Sequence, residues 1–145
     1  MGDRWHPWRY AAEHFPDVII NSHRELPDRV WGMTSFPLRK VWLCRRLRQV
    51  HRRCTLTHEL IHLERGPVPD YLLAAEERIV DELAARRLIE LPDLMEGLRW
   101  TRDPEELADA LWVDRSTLNT RMRTLDPVEV ADLEHALQDE WLWIP

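Results

Sequence analysis

The stretch CTLTHELIHLERGP, residues 54–67, carries the strongest structural signal in the chain. It belongs to a segment, residues 46–65, that contains no proline or glycine, and a Gly-Pro pair then provides a helix C-cap followed by a breaker. The segment therefore predicts a helix. On a helix, His58 and His62 project from the same face about one turn apart, so both imidazoles can reach one metal ion.

The spacing His-Glu-x-x-His is typical of zinc hydrolases. Two histidines one turn apart suit two ligands of a tetrahedral zinc ion, and Glu59 lies beside the position that stays open. A carboxylate there can take a proton from water and deliver it to a leaving amine. We predict zinc as cofactor, His58 and His62 as metal ligands, and Glu59 as the catalytic residue. The alternative is that these are ordinary residues of one helix face, because so short a pattern also arises by chance.

A third ligand is expected from the next helical pattern, residues 70–91, because a catalytic zinc ion takes three protein ligands. This pattern has Asp70 in an N-cap position and follows a loop short enough to fold the two helices antiparallel. It offers Glu76 and Glu77. Asp81 lies one turn beyond Glu77, where it could orient a ligand histidine, so Glu77 is favoured and Glu76 remains the competitor.

The rest of the first 98 residues predicts an α+β fold. Short runs rich in valine, isoleucine and tryptophan are typical of strands, and we expect them to form a small antiparallel sheet packed on the two long helices. A short helix precedes them, and Pro92 is expected to end the second long helix. The predicted strands cover residues 17–20, 29–34 and 40–44.

Residues 99–145 predict a helical extension, with helices at 104–111, at 117–125 and from Asp126 onward. Residues 106–125 resemble a helix-turn-helix, with Trp112 at the turn position where glycine is usual. Arg115, Arg121 and Arg123 would lie on the recognition helix.

Charge argues against strong DNA binding by this extension. Residues 100–145 hold eleven acidic residues against four arginines, and affinity for DNA comes largely from neutralising phosphates. We expect instead that Trp112, Trp141 and Trp143 either fill a core or contact a partner protein. The alternative is that these helices simply cover the first domain.

The charge of the whole chain is −6, divided as +6 over residues 1–57 and −12 over residues 58–145. Residues 38–53 contain seven basic residues and no acidic one. This run could be a surface for nucleic acid or a partner, or a solvated helix face paired with the acidic half. No apolar run is long enough to span a membrane, and no apolar leader follows the N-terminus, so we expect a cytoplasmic protein.

RRCTLTHELIHLERG, residues 52–66, followed by EERIVDELAARRLI, residues 76–89, resembles the ImmA/IrrE family of metallopeptidases in its compact actinobacterial and phage form. The resemblance covers about residues 17–92. It implies a minimal zincin-like fold and, as substrate, a helix-turn-helix transcriptional repressor or regulator.

The expected function is therefore that of a zinc-dependent endopeptidase. Zinc would be held by His58, His62 and Glu77, with Glu59 moving protons, and the protein substrate would be a repressor. The alternative is a non-catalytic regulatory protein with a structural zinc ion. It would bind DNA or a repressor through residues 38–53 and the C-terminal helices.

Overall fold

A computed structural model describes residues 4–138 of the chain. Over these residues the fold is α+β, as predicted, with seven α-helices and one small sheet. None of these helices has the length and apolar character needed to cross a membrane. In chain order the elements are α1 (Pro7–His14), β1 (Ile19–Asn21), β2 (Gly32–Ser35), β3 (Lys40–Leu43), α2 (Gln49–Arg65), a 3-10 turn (Asp70–Leu72), α3 (Leu73–Leu88), α4 (Leu91–Trp100), α5 (Pro104–Ala110), α6 (Arg115–Arg123) and α7 (Pro127–Leu137).

The three-stranded sheet is mixed, with the strand order β1-β3-β2. The strands β2 and β3 form an antiparallel hairpin, in which Gly32 is opposite Leu43. The strand β1 runs parallel to β3, with Ile19 opposite Lys40. The expected all-antiparallel sheet is therefore wrong for one of the two pairings. The hairpin occupies one edge of β3, so β1 pairs with the other edge, and short strand signals carry no information about direction.

Helix α2 lies between the sheet, which shares a core cluster with α1, and the helices α3–α7. It ends as predicted at Gly66, which has a φ of 85° and donates its backbone N–H to the carbonyl oxygen of His62. Leu56 and Leu60 on α2 are fully buried in the core cluster shared with the sheet. Ile61 is buried in a second cluster, shared with α3 and the C-terminal helices. The two histidines are thus carried on a helix that is packed on both sides.

The second long helix is shorter than expected. Asp70 begins the 3-10 turn and does not cap α3, which starts at Leu73 and ends before Ile89. Pro92 was expected to end this helix, but it lies in the first turn of a separate helix, α4. The first turn tolerates proline because its N–H groups have no partner within the helix. Pro92 therefore marks a helix start.

The C-terminal helices share a core with α2 and α3. Leu107, Leu118 and Leu133 are buried in one cluster with Ile61 and Val80. In the turn between α5 and α6, Trp112 has a left-handed φ of 58° and is 56% exposed, so it does not fill this core. Trp141 and Trp143 lie outside the described residues.

A buried ion pair joins α6 to α7. Arg121 is 2% exposed, and its guanidinium donates to the carbonyl oxygen of Ile89 at 2.8 Å and to Oε2 of Glu129 at 2.5 Å. Arg86 on α3 donates to Oε1 of the same carboxylate at 2.8 Å. The hydrogen bond from Arg121, strengthened by the one from Arg86, holds the pKa of Glu129 at about 2, below its ordinary value of 4.5.

We expect Glu129→Gln to lower the free energy of unfolding at pH 7 by about 2 kcal/mol, because hydrogen bonds to a charged group are lost. The ionised carboxylate stabilises the fold fully above the ordinary pKa, and that contribution is lost as the pH falls from 4.5 towards 2. Urea titrations of both proteins at several pH values measure the difference. The difference in the free energy of unfolding between the two proteins should become smaller as the pH falls. A difference that does not change with pH would contradict the assignment of the ion pair to Glu129.

Candidate metal centre

His58, His62 and Glu77 bring three ligand atoms to one point. The Nε2 atoms of His58 and His62 are 3.1 Å apart. The Glu77 carboxylate lies against both rings, with Oε2 at 3.0 Å from the first Nε2 and Oε1 at 2.7 Å from the second. One potential ligand atom from each residue lies within 4.8 Å of the other two. Two imidazoles and one carboxylate on a common point form a possible metal-binding triad.

Asp81 orients the first histidine of the triad. Its Oδ1 lies 3.0 Å from Nδ1 of His58, which leaves Nε2 facing the triad. Burial lowers the pKa of His58, but the hydrogen bond to Asp81 and the charges of Glu59 and Glu77 outweigh it and raise that pKa above 6.5. The pocket around the imidazole is thus arranged to hold positive charge, which a metal ion would supply in place of the proton.

Glu76 is directed away from the triad. It is 6% exposed, and its carboxylate accepts two hydrogen bonds from Arg65, at 2.7 and 2.9 Å. These bonds hold the pKa of Glu76 below its usual value. Of the two candidates for the third ligand, the structure places Glu77 against the histidines and Glu76 in an ion pair at the end of α2.

Glu59 lies beside the triad and is 6% exposed. Its Oε2 accepts a hydrogen bond of 2.5 Å from the hydroxyl of Thr34 on β2. Burial raises the pKa of Glu59, and the Thr34 hydrogen bond and the neighbouring imidazoles only partly offset this. The carboxylate is therefore buried next to the triad with its orientation determined by β2.

Gly32 allows β2 to approach α2 this closely. A Cβ at position 32 would lie 2.7 Å from Cγ2 of Thr55 and 2.9 Å from Oε1 of Glu59. Both distances are shorter than any normal contact, so a side chain here would push the strand or the carboxylate aside.

We expect Gly32→Ala to lower the free energy of unfolding by about 1 to 3 kcal/mol, as overpacking of a close contact does. Chemical denaturation measures this. The matched control is Thr55→Ser in the same background, which removes Cγ2 and should restore part of the loss. A variant as stable as the wild type would mean that β2 can move back at little cost.

A cleft of about 630 Å³ opens above the triad. The cleft face of α2 is its floor, and β2 with the preceding residues 29–31 forms one wall. Leu73 and Asp81 of α3 contribute to the opposite wall. The first turns of α6 and the residue that caps it complete the lining with Asp114, Ser116, Thr117 and Thr120.

The N-terminal part of α6, the helix that resembles a recognition helix, therefore lines the cleft. Two of the three arginines predicted on the recognition helix have partners within the chain: Arg121 is buried, and Arg115 donates to Oε1 of Glu105 at 2.7 Å. Arg123 is exposed. The helix itself is positively charged, but two of its three arginines already have partners, and residues 100–145 around it hold eleven acidic residues against four arginines, so α6 is poorly suited to reading DNA.

Two residues of the site carried no sequence signal. Thr34 and Gly32 lie in a short strand, and nothing in their spacing connects them with Glu59. Cys54, one turn before His58, is buried and also lines the cleft, where burial raises the pKa of its thiol to about 11.

Comparisons with known proteins assign no family. No protein-family model matches the chain, and no curated protein or solved structure shows a significant match.

Proposed function

We propose that this protein is a zinc-dependent endopeptidase of the ImmA/IrrE type. The observation that carries the proposal is the convergence of His58, His62 and Glu77 on one point, next to a buried carboxylate and at the floor of an open cleft. If the two histidines were ordinary residues of a helix face, nothing would require a carboxylate from a second helix to lie against both of their rings.

The side chains of the triad fit zinc. Imidazole nitrogen and carboxylate oxygen are ligands that zinc accepts, and three protein ligands leave a fourth position open. In a tetrahedral site with bonds of 2.0–2.1 Å, neighbouring ligand atoms are about 3.3 Å apart. The two ring nitrogens, 3.1 Å apart, are close to that separation, and each of them has a different oxygen of Glu77 beside it, at 3.0 and 2.7 Å. Asp81 already directs Nε2 of His58 to this point.

When bound, zinc supplies a Lewis acid that makes water more acidic and polarises a peptide carbonyl. The chain supplies the proton transfer. The Glu59 carboxylate takes a proton from the attacking water as the new C–O bond forms. It then gives that proton to the amide nitrogen as the C–N bond breaks. Thr34, by its hydrogen bond to Oε2, keeps the carboxylate in place for both transfers.

The cleft suits an extended peptide. Within residues 4–138, β2 is an edge strand of the sheet and borders the cleft, so a substrate segment can lie alongside it. As substrate we propose a helix-turn-helix repressor, which is what the resemblance to ImmA/IrrE peptidases implies.

Two measurements test this function. Protein purified without chelator should hold about one zinc ion per chain by elemental analysis, as a three-ligand site requires. The zinc-loaded protein should cut a helix-turn-helix repressor encoded beside its gene at a defined peptide bond, seen by mass spectrometry, and phenanthroline should stop the cleavage. Zinc content near zero, or an intact repressor after prolonged incubation, would overturn the proposal.

A further inference from the structure

Six arginines lie on the segments before α2 or in its first turn, and one of them also lines the cleft. We call these six the basic patch: Arg24, Arg29, Arg45, Arg46, Arg48 and Arg52. All except the half-buried Arg52 are exposed. Between positions 24 and 57 only Glu25 and Asp28 are acidic, so the patch has an excess of positive charge. No acidic residue occupies the first turn of α2 to reduce it.

The members of the basic patch are neighbours in space. The backbone N–H of Arg45 donates to the carbonyl oxygen of Arg24 at 2.8 Å. The guanidinium of Arg52 donates to the carbonyl oxygen of Arg45 at 3.3 Å. One ion pair, between Arg45 and Glu25 at 3.4 Å, neutralises part of the charge. The remaining positive charge is therefore concentrated on one region of the surface.

The basic patch is continuous with the cleft. Arg29 lines the cleft directly, and the guanidinium of Arg46 lies 5.6 Å from the ring centre of Trp31, another lining residue. On α2, Arg52 is followed at helical spacing by Thr55 and Glu59, so these three lie on the same face. Arg48 is the residue before the helix, and its carbonyl oxygen accepts a hydrogen bond from the backbone N–H of Arg52 at 2.9 Å. The face of α2 that lines the cleft therefore also carries Arg52, a member of the basic patch.

We propose that the basic patch binds an acidic segment of the protein substrate, on one side of the bond that is cleaved. This inference rests on the proposed function, because it assigns the segment to the peptide that occupies the cleft. Guanidinium groups pair with carboxylates through parallel hydrogen bonds, which suits them to aspartate and glutamate side chains. A nucleic acid fits less well, because residues 58–145 carry a net charge of −12 and would repel a long phosphate backbone.

A binding experiment with the zinc-loaded Glu59→Gln variant tests the patch without cleavage. The probes are a fluorescein-labelled glutamate-rich peptide, its glutamine counterpart and a labelled DNA duplex, followed by fluorescence anisotropy at two salt concentrations. We expect the glutamate peptide to bind at least about tenfold more tightly than the other two. Adding Arg48→Glu or Arg24→Glu should remove that preference, whereas Arg123→Glu, a charge reversal at an exposed position on α6, should leave it intact.

Cleavage of a peptide library prepared from a proteome separates failure of this inference from failure of the proposed function. The wild type should select aspartate and glutamate on one side of the cut, and Arg48→Glu should abolish that selection. Cleavage without acidic selection would overturn the inference and leave the peptidase standing. Absence of cleavage, together with no binding of the glutamate peptide, would overturn both. DNA binding that is tighter than peptide binding and lost in Arg48→Glu would replace the acidic peptide by a nucleic acid.

Discussion

Replacing Glu59 with glutamine is expected to lower kcat/KM for the repressor by about 10³-fold, within the range for loss of a general base. Glutamine has the same shape and can still accept the hydrogen bond from Thr34, but it cannot take up a proton. Zinc content should stay unchanged, because Glu59 is not one of the three converging residues. Single-turnover cleavage assays and elemental analysis of the same preparation measure both quantities.

A matched variant distinguishes proton transfer from orientation. Thr34→Val keeps the carboxylate but removes the hydroxyl that holds it, so it should lower kcat by a smaller factor, with KM and zinc content unchanged. If the Glu59→Gln protein cleaves at the wild-type rate, another group moves the proton. If instead that variant loses zinc, Glu59 is a ligand and the mechanism is wrong.

Glu77→Gln is expected to weaken zinc binding by more than the roughly 10- to 100-fold that the loss of an outer partner costs. The reason is that Glu77 is the member of the triad from α3 and contacts both ring nitrogens. Competition with a chromophoric chelator measures the affinity. Because bound metal stabilises the folded state, the rise in melting temperature on adding zinc should also become smaller.

Glu76→Gln is the control, since it changes the adjacent position on the same helix. It removes the ion pair with Arg65, so it should reduce stability without changing the zinc affinity. The opposite pattern, in which Glu76→Gln loses zinc and Glu77→Gln keeps it, would reverse the assignment of the third ligand.

Features that depend on neighbouring residues in the chain could be predicted from the sequence. The helix α2, its end at Gly66 and the shared face of His58 and His62 all follow from helical geometry and the residues of the segment itself. The α+β class and the start of α5 at Pro104 follow in the same way. Each of these is decided within a few residues.

The role of Pro92 and the direction of β1 do not follow from neighbouring residues in the chain. A proline disfavours the helix that precedes it and is accepted in the first turn of the next one, so the residue alone does not say which applies. The direction of β1 depends on which edge of β3 the hairpin leaves open. Both outcomes depend on what the rest of the chain occupies.

A helix with two histidines one turn apart and a carboxylate between them follows from the residues of one segment, because side-chain direction on a helix follows from spacing alone. That Glu77 and not Glu76 meets those histidines follows from packing, since it depends on the rotation of α3 about its own axis. Only packing brought Thr34 and Gly32 to Glu59 and the start of α6 to the cleft. These contacts join residues far apart in the chain, and no local pattern records such distances.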